Sequence, residues 1–126
     1  MRAVLGTLAL AAGLAACLMG VSVLALGLRR GDPRLLRAGR RFVFAAAAGA
    51  VVAVGAMEWA LVTHDFSLAY VARNGSRSTP LLYTVASLWG ALEGSILLWT
   101  LVLTGYTVAV ARRFRDRATD PLVGWA

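Results

Sequence analysis

Hydrophobic residues occur in three long runs along the chain, and polar segments separate the runs. The runs cover about residues 3–28, 42–63 and 91–111. Crossing a bilayer takes about 20 apolar residues, and a single segment satisfies its backbone polar groups in lipid only as a helix. The pattern therefore predicts an all-α membrane protein with three transmembrane helices.

Arginine blocks between the runs predict the orientation of these helices. Residues 29–41 carry six arginines and residues 112–117 carry four, whereas residues 64–80 carry two. Because positively charged loops remain in the cytoplasm, segments 29–41 and 112–126 are predicted to be cytoplasmic. The N-terminus and a loop at 64–90 are then predicted to lie outside.

Composition agrees with a membrane protein and argues against a nucleic-acid partner. The chain has 126 residues, of which 60% are hydrophobic, and its mean hydropathy is +0.73, which is too apolar for a water-soluble domain of this size. All 13 basic residues are arginine, and the net charge is +7. The arginines adjoin the apolar runs without forming a basic face with interleaved aromatic residues, so no nucleic-acid binding is expected.

The first run carries a seam of small residues. Gly6, Gly13, Gly20 and Gly27 recur every seven residues, which would let another helix approach one face closely; chance in a sequence rich in alanine and glycine is the alternative. The run also begins like a lipoprotein signal peptide ending at Cys17. Apolar residues continue well past Cys17, so we expect an uncleaved span.

The third run belongs to a longer segment, residues 78–111, that is too long for one straight crossing. Residues 78–111 carry a single charge, and as one helix they would measure about 51 Å, against a hydrocarbon core of about 30 Å. We expect a break between Gly90 and Gly94, preceded by an amphipathic helix in the outer interface that Ser78 or Thr79 caps. The apolar face of that helix is predicted to comprise Leu81, Leu82, Val85, Leu88, Trp89 and Leu92, with Thr84 and Ser87 facing away.

Two glutamates lie near the predicted outer ends of their spans. Glu58 precedes the end of the second run, and Glu93 precedes the third crossing. Trp59, Trp89 and Trp99 accompany them, as is common at membrane interfaces. Either the two carboxyl groups are solvated or neutral interface residues, or they line a polar cavity that meets another subunit or a cofactor. Both interpretations stay open, and Glu58 is the weaker candidate.

No catalytic or metal-ligating constellation is predicted. The chain has one cysteine and one histidine, His64. It lacks the spaced ligand pairs of metal sites and the glycine-rich loops of phosphate sites, and no nucleophile has a base at a suitable spacing. His64 and Asp65 are interpreted as a solvated helix end.

Residues 66–99 read FSLAYVARNGSRSTPLLYTVASLWGALEGSILLW. In order, they contain an FSxxYVA stretch, a polar turn, a Pro-x-x-Tyr element and a Trp-Gly-x-x-Glu-Gly-Ser-x-x-x-Trp signature. The residues concerned are Phe66, Ser67, Tyr70, Val71, Ala72, Asn74, Ser76, Pro80, Tyr83, Trp89, Gly90, Glu93, Gly94, Ser95 and Trp99. This arrangement resembles the N-terminal region of the CcmF/NrfE family, the large membrane subunits of the cytochrome c haem lyase. The last six of these residues, with Glu58, are the candidate motif or cavity-lining residues.

The resemblance implies a part in cytochrome c maturation, in which haem is attached covalently to apocytochrome c at the bacterial cytoplasmic membrane. It implies haem as the cofactor of the full-length family. The implied partners are membrane lipid, the remaining helices of the lyase, other maturation subunits and apocytochrome c. A membrane scaffold, part of a larger polytopic fold, is the expected contribution of this chain.

The chain also departs from the family pattern. Many members have a histidine immediately before the glutamate, where this chain has Leu92. Family members are several times longer and carry a tryptophan-rich WWD domain with flanking haem-ligating histidines, which is absent here. We therefore assign no haem ligand, expect no haem binding by the chain alone, and leave open whether it takes part in catalysis. The chain is expected to be the front end of a longer protein or one product of a split gene.

Two other functions fit the same sequence. A small, self-standing membrane accessory subunit could associate with partners through its glycine seam. A transporter fragment could relay protons through Glu58 and Glu93.

Overall fold

The computed structural model describes residues 2–65, 68–74, 80–117 and 119–125, and no strand occurs in them. The three longest helices are long and apolar enough to cross a membrane, which confirms the predicted all-α fold with three candidate spans. The helices are α1 (Arg2–Arg30), α2 (Pro33–Val62), α3 (Ala69–Asn74), α4 (Leu81–Gly90), α5 (Leu92–Arg113) and α6 (Pro121–Trp125), with a 3₁₀ turn at Arg115–Arg117.

A tight turn joins α1 to α2. Gly31 adopts a φ of +62°, and the Asp32 amide donates to the Gly27 carbonyl at 3.0 Å, which is the long bond of a Schellman helix end. The Asp32 carboxylate accepts from the Arg34 amide at 2.8 Å and so caps α2. Pro33 suits the first turn of that helix. The second helix therefore begins well before the predicted span at residue 42, and most of the first arginine block is helical.

Small residues bring α1 and α2 into close contact. A methyl group added at Gly49 of α2 would lie 2.9 Å from the Ala9 carbonyl oxygen and 3.0 Å from the Gly13 Cα of α1. One added at Gly20 would lie 2.9 Å from the Phe42 Cβ. The glycines of α1 thus face α2, a partner that their spacing did not identify, and they allow the close backbone packing that stabilises helix pairs in lipid.

α5 packs against α2 in the opposite direction. The Arg40 guanidinium of α2 donates to the Phe114 carbonyl, 3.0 Å away, and to the Ala111 carbonyl. The Ala111 carbonyl lies in the last turn of α5, where a helix leaves such groups without partners, and the Phe114 carbonyl also accepts from the Arg117 amide at 3.0 Å. The C-termini of α1 and α5 and the N-terminus of α2 therefore share one end of the bundle, which we call the arginine end.

The buried core lies toward the opposite end, where α2, α3, α4 and α5 meet. Leu61 of α2, Val71 of α3 and Leu88 of α4 are each at most 1% exposed. Ala60 of α2 and Leu97 of α5 complete the contact between the four helices. This core holds the two short helices against the ends of the two long ones.

α2 ends in a second Schellman turn, in which a histidine takes the usual place of glycine. His64 adopts a φ of +51°, the Asp65 amide donates to the Ala60 carbonyl at 2.9 Å, and the His64 amide donates to the Leu61 carbonyl at 3.1 Å. Histidine enters this backbone region more readily than most other side chains. The interpretation of His64 and Asp65 as a helix end is therefore confirmed.

Candidate functional site

The third apolar run breaks inside the WGALEGS stretch, as its length predicts. α4 ends at Gly90 and α5 begins at Leu92, while Ala91 between them is extended, with φ −121° and ψ 158°. We call residues 88–94 the elbow. The elbow turns the chain from the short helix α4 into the third candidate span.

The two glycines of the elbow differ in what surrounds them. A methyl group added at Gly94 would overlap the carbonyl oxygen of Leu88 and the hydroxyl of Tyr70, whereas one added at Gly90 would meet no described atom within 4 Å. Gly94 is therefore the position at which α5 passes directly beneath the end of α4. A larger residue there would push the two helices apart.

Tyr70 of α3 contacts the end of α4 through its hydroxyl group. Its hydroxyl lies 2.8 Å from the Ser87 carbonyl oxygen and 2.8 Å from the Leu88 carbonyl oxygen. These carbonyls belong to the last turn of α4, where no further helical amide can reach them. The hydroxyl thus donates to groups that would otherwise be buried without a partner, which is unfavourable.

The Tyr70 hydroxyl lies within electrostatic range of both glutamates. Burial raises the pKa of Tyr70, and the negative charges of Glu93 and Glu58 raise that pKa further. Both carboxyl groups therefore act on one hydroxyl at the elbow. This agrees with the prediction that Glu58 and Glu93 lie at the same end of the bundle.

Glu93 is a surface residue in this structure. Its Oε1 lies 3.7 Å from the Arg73 Nη1, and the two side chains are 63% and 71% exposed. The carboxylate also lies in the first turn of α5, where the helix dipole favours a negative charge. An exposed pair of this kind contributes about 0–1 kcal/mol, so Glu93 is free to meet a partner at little energetic cost.

Glu58 is the more buried of the two acids. Its Oε2 is buried and has no hydrogen-bond partner in the part of the chain that the structure describes. Buried oxygens of this kind are normally paired. A hydrogen-bond donor from another polypeptide or from a bound group would therefore reduce the cost of burying this oxygen.

The contact face of α4 corrects one prediction. Thr84 and Leu88 are the buried residues of this helix, at 3% and 1% exposure, so the prediction that Thr84 faces away from the apolar side was wrong. The two are four positions apart, which places them on one helix face, and the core of α2 and α5 covers that face. Four other members of the predicted apolar face are exposed: Leu81, Leu82, Trp89 and Leu92.

Three tryptophans near the elbow present large apolar surfaces. Trp59, Trp89 and Trp99 are 57%, 52% and 64% exposed. Gly90 is exposed beside Trp89, and Ser95 is half-buried with its hydroxyl donating to the Leu92 carbonyl at 2.8 Å. The candidate residues thus divide into an exposed group, the half-buried Glu58 and Ser95, and the buried Gly94.

Sequence reasoning missed the part that Tyr70 plays. The residue stood in the quoted YVA stretch, but its carbonyl partners lie 17 and 18 positions away. Phe66, Ser67 and Ser76 of the same stretch, and the predicted caps Ser78 and Thr79, lie outside the described residues.

Metal chemistry has no basis in the described ranges, where no group of three or more His, Cys, Asp or Glu side chains could hold an ion. The one histidine, His64, occupies the helix-end turn. In this part of the chain Glu93, Trp59, Trp89 and Trp99 are exposed.

Comparison with curated proteins identifies relatives, although no protein-family profile matches the chain. The chain is 40% identical over 107 residues to the cytochrome c-type biogenesis protein CcmF of Pseudomonas aeruginosa, a match that covers 85% of this chain and 16% of that protein. It is 44% identical over 110 residues to CcmF of Escherichia coli strain K12, covering 84% and 16%. The probable cytochrome c-type biogenesis protein NrfE of Escherichia coli is 32% identical over 96 residues, covering 76% and 17%.

A solved structure shares the fold as well as the sequence. The cytochrome c heme lyase CcmF aligns with a TM-score of 0.88 and 45% identity, over 98% of this chain and 22% of that chain. The chain therefore spans about a sixth of the length of the curated relatives that it matches. These similarities confirm the resemblance that the residues of the elbow carry.

Proposed function

This chain is a relative of one segment of the CcmF/NrfE cytochrome c biogenesis proteins, and from that premise we propose that it supplies a membrane scaffold to the machinery that attaches haem to apocytochrome c. The observation that carries the proposal is the structural match to the heme lyase CcmF, at 45% identity over 98% of the chain. Such a match covers the packing of all three spans. The scaffold is therefore proposed to work as part of a larger lyase.

The proposed location is the bacterial cytoplasmic membrane, with the arginine end inside and the elbow outside. Support comes from the positive-inside rule, because the ten arginines of residues 29–41 and 112–117 lie at the ends of helices that Arg40 joins. The N-terminus would then be outside and residues 112–126 inside. The outside is where this orientation exposes Glu93 and the tryptophans.

The elbow is proposed to face the rest of the lyase. Leu81 and Leu82 of α4 are 64% and 76% exposed, which suits a helix lying in the outer interface with apolar side chains toward lipid or partner helices. Trp89 and Trp99, with Glu93, would line the adjoining surface. In this role the elbow forms part of the surface that faces the rest of the lyase, and other segments of the lyase supply the reacting groups.

Haem itself does not fit the chain taken alone. Protein ligands of haem iron are mainly histidine, methionine, cysteine and tyrosine, and a site with two histidines cannot form from the single histidine present. No step of the proposed function therefore uses haem bound to this chain alone. Haem and apocytochrome c would meet this chain only through the complete complex, together with other maturation subunits.

The test replaces elbow residues in the full-length protein that carries this segment. Trp89→Ala should reduce covalently bound haem on a c-type cytochrome several-fold, because Trp89 is part of the exposed surface that is proposed to face the rest of the lyase. Trp125→Ala is a matched control, since Trp125 is 78% exposed on α6, beside the C-terminus of α1. Haem staining of denaturing gels measures maturation, and immunoblotting corrects for protein amount. Normal maturation after deletion of residues 80–113 would contradict the proposal.

One observation favours a second candidate, a self-standing accessory subunit. Leu8, Leu14 and Leu18 of α1 are 62%, 63% and 62% exposed, so α1 has an apolar face available to partner helices on the side away from α2. The reading frame beyond Ala126 separates the candidates. A continuing or adjacent frame with a tryptophan-rich outer segment and flanking histidines supports the lyase, and unrelated genes support the accessory subunit.

A further inference from the structure

Two neighbouring cavities open at the arginine end. One has a volume of about 330 Å³ and is lined by five arginines together with Phe44 and Ala111. The other has a volume of about 290 Å³ and is formed by Arg34, Arg37, Ala38 and Arg41. The arginines of the larger cavity are Arg37, Arg40, Arg41, Arg112 and Arg115. Arg37 and Arg41 line both cavities, so the two adjoin along α2. We call them together the basic cleft; the larger cavity lies between α2 and the end of α5.

The cleft contains positive charge without matching negative charge. No carboxylate lines either cavity. The ion pairs within the described ranges join Arg73 to Glu93 and Arg115 to Asp116, and in the second pair both side chains are more than 80% exposed. Because like charges held this close repel one another, the cleft would be stabilised by an anion.

Three of the five arginines already have polar partners. Arg37 Nε donates to the Pro33 carbonyl at 3.3 Å, and Arg115 pairs with Asp116. Arg40 donates to the carbonyl groups of Ala111 and Phe114, and this fixes the end of α5 against α2. Arg41 lines the cleft from α2, and Arg112 lines it from α5. Guanidinium forks match phosphate oxygens in geometry and charge.

An aromatic ring lies immediately below these charges. The Arg112 guanidinium carbon is 5.9 Å from the centroid of the Phe44 ring, and Phe44 is 41% exposed. Phe44 is one turn further into α2 than Arg41, on the side that leads to the hydrocarbon layer. A soluble anion would use only the arginines, whereas a phospholipid would place its phosphate among the arginines and its acyl chains along Phe44.

We propose that this cleft binds the phosphate headgroup of an anionic phospholipid from the membrane leaflet at the arginine end. Arg37, Arg41, Arg112 and Arg115 hold the phosphate, and Arg40 positions the end of α5 that forms one wall. Basic pockets between helices at a membrane surface have the charge and depth for such headgroups. The proposal depends on the three candidate spans and is independent of a role in haem attachment.

The test measures lipid binding to the chain in neutral detergent by native mass spectrometry. Phosphatidylglycerol should bind about tenfold or more tightly than phosphatidylcholine, because each basic side chain strengthens the attraction to an anionic headgroup. Arg41→Gln with Arg112→Gln should remove most of this preference. Arg29→Gln with Arg30→Gln is the control, since it removes the same charge from the end of α1, outside the cleft.

Three results would overturn the proposal. The first is equal binding of the two lipids by the unaltered chain, a result that needs no variant to fold. The second is an equal loss in both double variants, which would indicate general surface charge. The third is full displacement of phosphatidylglycerol by millimolar inorganic phosphate, which would indicate a soluble anion. Circular dichroism confirms that each variant keeps its helices.

Discussion

The hydroxyl oxygen of Tyr70 lies 2.8 Å from the carbonyl oxygen of Leu88, and this contact closes the corner between α4 and the third candidate span. Gly94 lies directly against the same two groups. A residue from α3, the end of α4 and the first turn of α5 thus meet at one point. The stability of the elbow should depend on that point more than on its exposed motif residues.

Tyr70→Phe should destabilise the fold by about 1–3 kcal/mol, because the Leu88 and Ser87 carbonyl groups would lose the one O–H donor that they share. Tyr106→Phe is a matched control, since Tyr106 is 69% exposed on α5 and should lose little. Unfolding in mixed micelles, followed by circular dichroism, measures both variants. Equal effects of the two substitutions would show that the hydroxyl does not fasten the elbow.

Gly94→Ala should be strongly destabilising, whereas Gly90→Ala should be neutral or slightly stabilising. The added methyl at position 94 overlaps groups of α3 and α4, while at position 90 it meets no atom of the described chain within 4 Å. Overpacking of a tight contact costs about 1–3 kcal/mol, and alanine favours a helix over glycine by about 0.5–1 kcal/mol. Thermal unfolding compares the pair, and a larger loss at Gly90 would refute this assignment.

Gly49→Ala should loosen the α1–α2 pair. The added methyl would approach the Ala9 carbonyl and the Gly13 Cα, whereas one at Gly55 of the same helix meets no described atom within 4 Å. We expect a loss of about 1–3 kcal/mol at Gly49 and none for Gly55→Ala. The midpoint of unfolding in a denaturing detergent gives the difference. Similar midpoints for the two variants would mean that the helices do not pack through the seam.

Alkaline pH should weaken the elbow through Tyr70. Burial, then Glu93 and Glu58, raise its pKa above the ordinary value of 10.0, so the fold favours the neutral phenol. The stabilisation is complete below the ordinary value and is lost as the pH rises through the raised pKa. Stability should therefore fall more steeply above pH 10 in the unaltered chain than in Tyr70→Phe. Absorbance at 295 nm follows ionisation, and parallel stability curves would count against this effect.

The isolated chain should not bind haem stoichiometrically. It contains one histidine, and that residue forms the turn at the end of α2, so a pair of axial imidazoles is not available. Titration with haem, read as the visible absorption spectrum of the reduced form, should show no stable bis-histidine bands. A saturable spectrum of that type at one haem per chain would overturn the prediction.

Local sequence features predicted much of the architecture. The three spans follow from the length of the apolar runs, the break before α5 from the mismatch between 34 residues and a bilayer about 30 Å thick, and the close packing of α1 against another helix from glycines spaced by seven. Each of these signals involves residues that are near one another in the chain or that repeat along one helix.

Contacts between distant residues could not be predicted in the same way. Arg40 donates to the carbonyl of Phe114, 74 positions away, and no periodic pattern indicates that pairing. Thr84 is buried because α2 and α5 cover one face of α4, although its hydroxyl suggested the opposite face. The Thr84 hydroxyl reaches the Pro80 carbonyl at 3.3 Å, which reduces the cost of burying it.

The extended residue at Ala91 also determines how this protein fits membranes of different thickness. A continuous rod through residues 78–111 would exceed the lipid tails and force the surrounding acyl chains to stretch or the rod to lean. With the corner in place, α5 has 22 residues and spans about 33 Å, so hydrophobic mismatch is small. The ten residues of α4 then add nothing to that length.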